Sequence, residues 1–229
     1  GGIRGTVIST GKALTKLDFP GRTTMRAEAG VACGMIARQS VLNGCAGAEF
    51  LAGVPGTLGG ALSMNAGAFG CEMWDIVKQV ETIDRRGVQR VRVPADFRIG
   101  YRDVVGNPSE WFIAATLDLT RDQDGESANN LKALMAKRNA SQPVGQHSSG
   151  SVFRNPPGDF AARLIESAGL KGVTIGGARV SAKHANFIIN EGGASADDIE
   201  SLITKVRTVV EKKHSVTLIP EVKIVGVPV

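Results

Sequence analysis

The sequence predicts an α+β protein, and two observations carry that reading. Up to about Thr120 the chain runs as short apolar stretches broken by turns. Beyond Asn130 the apolar residues return at helical spacing instead. Strands and helices that occupy separate zones, without alternating, argue against a doubly wound sheet. With 229 residues, 42% of them hydrophobic, and a mean hydropathy of zero, the chain has enough apolar surface to close a core.

The elements follow in order. "GIRGTVIS" reads as a turn and a strand. Ile76 to Asp84 and Val88 to Val93 form a hairpin around "RRG", and Ile113 to Leu119 is a short apolar strand. "DQDGESANN" (122–130) is polar and turn-rich, a boundary. Leu131, Leu134 and Met135 then mark a short amphipathic helix. After "SQPVGQHSSGS" a second unit begins. Phe160, Ala161, Leu164, Ile165 and Ala168 recur at helical spacing, with Gly169 as the stop. Ser195 and Asp198 make a capping pattern for a last helix, whose apolar face is Ile199, Leu202, Ile203, Val206, Val209 and Val210. "SVTLIPEVKIVGV" closes the chain as a strand interrupted by Pro220.

Composition removes several function classes. No run of ~18 apolar residues offers a membrane span, and the N-terminus lacks a signal-peptide pattern. Cys33, Cys45 and Cys71 are odd in number and form no CxxC pair, which fits a reducing cytoplasm rather than a disulfide or zinc framework. His147, His184 and His214 have no metal-ligand spacing. Net charge is +5, but the basic residues are dispersed and no aromatic platform accompanies them. The excess suits a phosphorylated small molecule better than a nucleic acid.

The stretch from Glu49 to Glu72, "EFLAGVPGTLGGALSMNAGAFGCE", holds six glycines: 53, 56, 59, 60, 67 and 70. Val54-Pro55-Gly56 reads as a turn with Pro and Gly at its centre. "TLGGALSM" starts a short helix whose free N–H groups could face an anion, and Asn65 opens a second small-residue run. Bare backbone lets a flat or phosphorylated ligand come close. A tight crossover between two layers accounts for the same residues, and GxGxxG is absent.

Five motifs together resemble one family. They are "GAEFLAGVPGTLGGALSMNAGAFG", "IGYRDV" at Ile99–Val104, "GSVFRNP" at Gly150–Pro156, "KHANFIIN" at Lys183–Asn190 and "PEVKIVG" at Pro220–Gly226. In this order they resemble UDP-N-acetylenolpyruvoylglucosamine reductases, and the short spacer between "YRDV" and "GSVF" resembles the family's type II members. The resemblance implies an FAD-binding domain of the PCMH/vanillyl-alcohol-oxidase type over 1–120, with its N-terminal part missing. A connecting helix and linker over 121–140, a smaller α+β substrate-binding domain over 141–218, and a C-terminal strand over 219–229 carrying Glu221 to the active site follow. The family's upstream "GxGSN" loop, which holds the FAD pyrophosphate, lies outside this sequence, so weak flavin retention is the expectation.

By the same resemblance, hydride passes from NADPH to FAD and then to the vinyl carbon of UDP-N-acetylglucosamine enolpyruvate, giving UDP-N-acetylmuramate. Charge then develops on the neighbouring carbon and carboxylate, which calls for a fixed cation and a proton donor. Arg102 matches the cation, Ser151 in "GSVF" the proton donor, and Glu221 the acidic partner. Gly53, Pro55, Gly56, Thr57, Gly59, Gly60, Asn65, Ala66, Gly67 and Ala68 fall in the implied FAD contact. Tyr101, Gln142, Arg154 and Asn155 fall near the substrate. Lys183 and His184 either touch ligand or shape a turn. No metal, nucleic acid or membrane is implied, and a cytoplasmic monomer is. Another flavin oxidoreductase of the same superfamily, or an inactive nucleotide-sugar-binding fragment, is the alternative.

Overall fold

The structure, a computed structural model, describes residues 2–10 and 12–226. It divides into two compact units, Val7–Lys137 and Arg138–Val229 with Gly1–Thr6.

In the Val7–Lys137 unit the strands are β1 (Leu17–Asp18), β2 (Thr24–Glu28), β3 (Cys45–Ala46), β4 (Gly67–Ala68), β5 (Cys71–Glu72), β6 (Val77–Asp84), β7 (Gln89–Arg92), β8 (Arg98–Gly100), β9 (Asp103–Val105), β10 (Glu110–Asp118) and β11 (Thr120–Arg121). An antiparallel sheet of order β1-β2-β10-β6-β7 is its backbone. Strands β6 and β7 pair as the "RRG" hairpin read from the sequence, with Ile83 opposite Gln89. One sheet face is apolar and buried: Met25, Ala27, Val80, Ala115 and Leu117 lie on it, and along β2 they alternate with the half-buried Thr24, Arg26 and Glu28, the period of two that a half-covered strand requires. Helices α1 (Cys33–Leu42) and α2 (Leu58–Ser63) contribute Ile36, Leu58 and Leu62 to the same core.

Helix α1 is absent from the sequence reading, which has only strands and turns there. Its buried set, Cys33, Ile36, Ala37 and Ser40, is small and partly polar, so its helical period is faint. "GIRGTVIS" is no strand: residues 3–10 pair in no ladder among the described residues, and an unpaired strand has nothing to satisfy its backbone.

Helix α3 (Ser127–Ser141) begins inside the segment read as a boundary. Asp122 explains the early start: its carboxylate accepts from the N–H groups of Glu126 and Ser127 and from the Ser127 hydroxyl. The expected apolar face is shallow, because Leu131 and Leu134 are only half-buried and Met135 is exposed.

In the second unit β12 (Thr174–Ile175), β13 (Ala178–Val180) and β14 (Ile188–Asn190) form a three-stranded sheet, with α4 (Ala161–Ser167) and α5 (Ala196–His214) around one core. Gly169 follows α4 at φ +77°, the left-handed stop expected of it. The Ser195 hydroxyl accepts from Asp198 N–H at 3.0 Å while the Asp198 carboxylate accepts from Ser195 N–H at 2.9 Å, the reciprocal cap read from the sequence. Leu202, Ile203, Val206 and Val210 are buried, each contributing about 1.5–3 kcal/mol by burial.

The closing segment is not the strand expected of it. Phe153 and Pro220 form an isolated bridge, Arg154 N–H donates to Ile219 O and Glu221 N–H donates to Val152 O. Proline supplies no N–H at the middle of this run, so the ladder goes no further. Residues 227–229 of the 219–229 segment lie outside the described residues. Among the described residues, no helix is long and apolar enough to cross a membrane.

Candidate active site

The glycine-rich stretch packs against the turn that leads into α1. Ala32 and Thr57 form a bridge, and Cys33 N–H donates to Gly56 O at 3.0 Å. Leu58 and Gly59 N–H groups donate to Val31 O and Ala29 O, at 2.9 and 2.8 Å. This corrects the expectation that the start of α2 has free N–H groups for an anion: two of them are already spent on protein carbonyls. Gly56 takes φ +104°, as the turn with Pro55 before it requires.

Part of the glycine content serves internal packing. A Cβ on Gly67 would stand 2.4 Å from Cys71 O, and one on Gly53 2.6 Å from the Phe69 ring and 2.8 Å from the Ala68 Cβ. Gly60 differs from both. It has no positive φ, and a Cβ there meets nothing within 4 Å, so the protein's own packing does not explain it.

Asn65 is buried, and its amide binds protein groups. Nδ2 donates to Glu72 Oε2 at 2.6 Å and to Gly100 O at 3.2 Å, and Oδ1 accepts from Trp74 N–H at 3.1 Å. Both amide hydrogens are therefore used internally. Arg102 joins the same cluster from the β8–β9 turn. Nη1 donates to Asn65 O at 3.0 Å, Nη2 to Gly67 O at 2.8 Å, and Nη1 lies 3.7 Å from Glu72 Oε1. The guanidinium also lies over the exposed Tyr101 ring, 5.0 Å from its centroid. Pro55, Thr57, Ala66 and Ala68 complete the stretch in this unit; Ala66 N–H donates to Ala61 O and its carbonyl accepts from Met73 N–H.

The other predicted residues lie in the second unit. Ser151 bridges Phe187, and its neighbour Val152 accepts at its carbonyl from Glu221 N–H at 2.7 Å, so the Ser151 and Glu221 segments run side by side. No hydrogen-bond partner for the Ser151 hydroxyl is found among the described residues. Asn186, which the sequence reading passes over, clamps this segment. Its Oδ1 accepts from Phe153 N–H at 2.9 Å and its Nδ2 donates to Phe153 O at 2.8 Å. The signal was present: a lone amide between Ala185 and Phe187 in an apolar run must find buried partners.

Asn155 is exposed and its Oδ1 accepts from Ala161 N–H at 3.1 Å, which caps α4. Half-buried Arg154 holds its Nε buried without a hydrogen-bond partner. Gln142 follows α3, its N–H bonded to Arg138 O. Lys183 Nζ donates to Asn139 O, and burial pushes the His184 imidazole below its ordinary range. Burial also pushes the Cys33 thiol up to about 12 and raises Cys45.

Comparison with known proteins matches these two regions separately. A family model described as "FAD binding domain" matches residues 1–92, and one described as "UDP-N-acetylenolpyruvoylglucosamine reductase, C-terminal domain" matches residues 142–225. The protein is thus of the FAD-binding class, with an α+β fold. Curated relatives named UDP-N-acetylenolpyruvoylglucosamine reductase include one from Alkalilimnicola ehrlichii, 59% identical over 99% of this chain and 76% of the relative. Another, from Methylococcus capsulatus, is 54% identical over 99% of this chain and 74% of the relative. A crystal structure of UDP-N-acetylenolpyruvylglucosamine reductase (MurB) from Thermus caldophilus superposes with a TM-score of 0.81 at 31% identity, covering 92% of this chain and 74% of that one. The chain belongs to the UDP-N-acetylenolpyruvoylglucosamine reductase family.

Proposed function

We propose that the protein reduces the enolpyruvyl ether of UDP-N-acetylglucosamine enolpyruvate to a lactyl ether, forming UDP-N-acetylmuramate for peptidoglycan precursors, with FAD as cofactor and NADPH as reductant. Identity of 59% to a curated reductase over nearly the whole chain carries this reading. Its place is the cytoplasm and its working form a monomer.

The residues present fit a flavin in one respect: Gly60 leaves bare backbone on open space that neither its φ nor its neighbours require. The run from Gly53 to Ala68 would hold it. When bound, FAD supplies the hydride chemistry between NADPH and the substrate's vinyl carbon. Arg102 binds the substrate carboxylate, where negative charge builds, because a guanidinium is always ionised and offers paired donors. Ser151 delivers a proton from Oγ to the other vinylic carbon, and Glu221 stands beside it as the acidic partner. Arg154 Nε, buried and unpartnered, offers a donor to an oxygen of the nucleotide sugar. Tyr101, Gln142 and Asn155 are the further residues proposed to bind the substrate.

The test is visible absorption of the FAD-loaded protein. NADPH should bleach it, and the enolpyruvyl substrate should restore the colour. Ser151→Ala should still bleach with NADPH and no longer recolour. Recolouring at an unchanged rate would remove Ser151 from the role, and failure of the native protein to recolour would overturn the reading itself.

A further inference from the structure

Three non-glycine residues with left-handed backbone gather in one corner of the Val7–Lys137 unit: Asn65 at φ +45°, Phe69 at +57° and Arg102 at +55°. For an L side chain this conformation costs about 1–2 kcal/mol, so something must hold each in place. At Arg102 the holders are visible. The Asn65 and Gly67 carbonyls accept from the two terminal guanidinium nitrogens, and the Glu72 carboxylate lies 3.7 Å away. The Arg102 side chain is 15% exposed, so it has little room to find another orientation.

Glu72 sits at the hinge of this arrangement. Its Oε2 accepts from Asn65 Nδ2 at 2.6 Å, and its Oε1 faces Arg102 Nη1. Asn65 in turn reaches Gly100 O, the last residue of β8 before the Tyr101-Arg102 turn. One carboxylate thus ties the guanidinium, the carbonyl that binds it and the backbone that presents it. The β4–β5 hairpin brings Glu72 there through the Phe69-Gly70 turn, with both φ positive, as a two-residue hairpin needs.

The geometry points to Glu72 as a positioning residue for Arg102. It fixes the guanidinium fork for a carboxylate that must arrive in one orientation, and it acts only through Arg102. Asn65 is the relay in this arrangement. The inference rests on the proposed role of Arg102 as the cation that binds the substrate carboxylate.

The experiment is a double-variant cycle on the FAD-loaded protein, read in single turnovers. Flavin bleaching by NADPH and recolouring by substrate are timed separately. Glu72→Ala should slow recolouring on the order of 10–100-fold, the cost of a misplaced binding group, and leave bleaching unchanged. Glu72→Gln keeps an acceptor for Asn65 Nδ2 and should recover most of that loss. In an Arg102→Ala background, Glu72→Ala should add nothing, since its target is gone. Losses that multiply in the double variant, or an unchanged recolouring rate in Glu72→Ala, overturn the inference. If Arg102→Ala alone recolours at the native rate, it is the role of Arg102 that fails instead. Thermal unfolding and flavin retention are measured alongside. Should Glu72→Ala not fold, the same cycle with Glu72→Gln decides, with a smaller loss that must again vanish without Arg102.

Discussion

Between Ala196 and His214 the protein buries long side chains: Leu202, Ile203, Val206 and Val210, on one face of a capped helix. Between Glu49 and Glu72 it buries backbone, with glycines whose missing Cβ atoms are replaced by a carbonyl, a ring or a methyl group. Both stretches belong to well-packed units, yet they fail in opposite ways. The helix loses stability when a side chain is made smaller. The loop loses it when one is made larger, because packed interiors tolerate neither voids nor extra atoms.

That contrast can be tested from both sides. Leu202→Ala should cost the most, about 2–5 kcal/mol in denaturant unfolding, because Leu202 is fully buried and leaves a cavity. Gly67→Ala should cost roughly 1–3 kcal/mol, since the added Cβ meets the Cys71 carbonyl, a backbone atom that cannot swing aside. Gly60→Ala sharpens the comparison within the loop. It should leave stability unchanged or raise it by up to ~1 kcal/mol, because alanine is the better helix former and the space is open. The same variant should retain less FAD after desalting. Equal retention would mean that flavin does not approach at this face.

The smallest effect concerns charge in the strand-rich unit. Arg92 and Thr82 hold the Glu110 carboxyl down at about 2, from an ordinary 4.5. A carboxyl with a depressed folded-state pKa contributes its full stability above pH 4.5 and loses it as pH falls from there towards 2. Glu110→Gln should therefore flatten the acid limb of the unfolding midpoint across that window and change the pH dependence little above it. An acid limb identical to the native one would show that the Arg92–Glu110 pair contributes nothing.

How far the sequence could be read follows the same division. Helices α4 and α5 were legible because a period of 3.6, a cap and a left-handed stop are all local. The β6–β7 hairpin was legible for the same reason, its turn and alternation lying within a few residues. Helix α1 was not, because its buried face of Cys33, Ala37 and Ser40 looks like nothing in particular until it meets the core. Nor could sequence tell which glycine serves which purpose. Gly59 and Gly60 are neighbours, yet the first has Ala29 at 3.1 Å from its absent Cβ and the second has nothing.

The candidate site divides likewise. Arg102 and Ser151 could be named from short motifs, since the motif itself carries the resemblance. Glu72 could not, because its partner Arg102 lies 30 residues away, and for Asn186 only a buried amide was signalled, not its partner Phe153 33 residues away. Composition and periodicity were enough to determine the α+β class and the two helical patterns of the second unit, and the resemblance of the motifs pointed to the family. Only the tertiary structure decided that Leu58 and Gly59 N–H groups are spent on Val31 and Ala29, that Asn65 turns its amide inward, and that Arg102 is gripped by backbone carbonyls. The reason is that hydrogen bonds are satisfied by whatever the fold brings within about 3 Å, and distance along the chain says little about that.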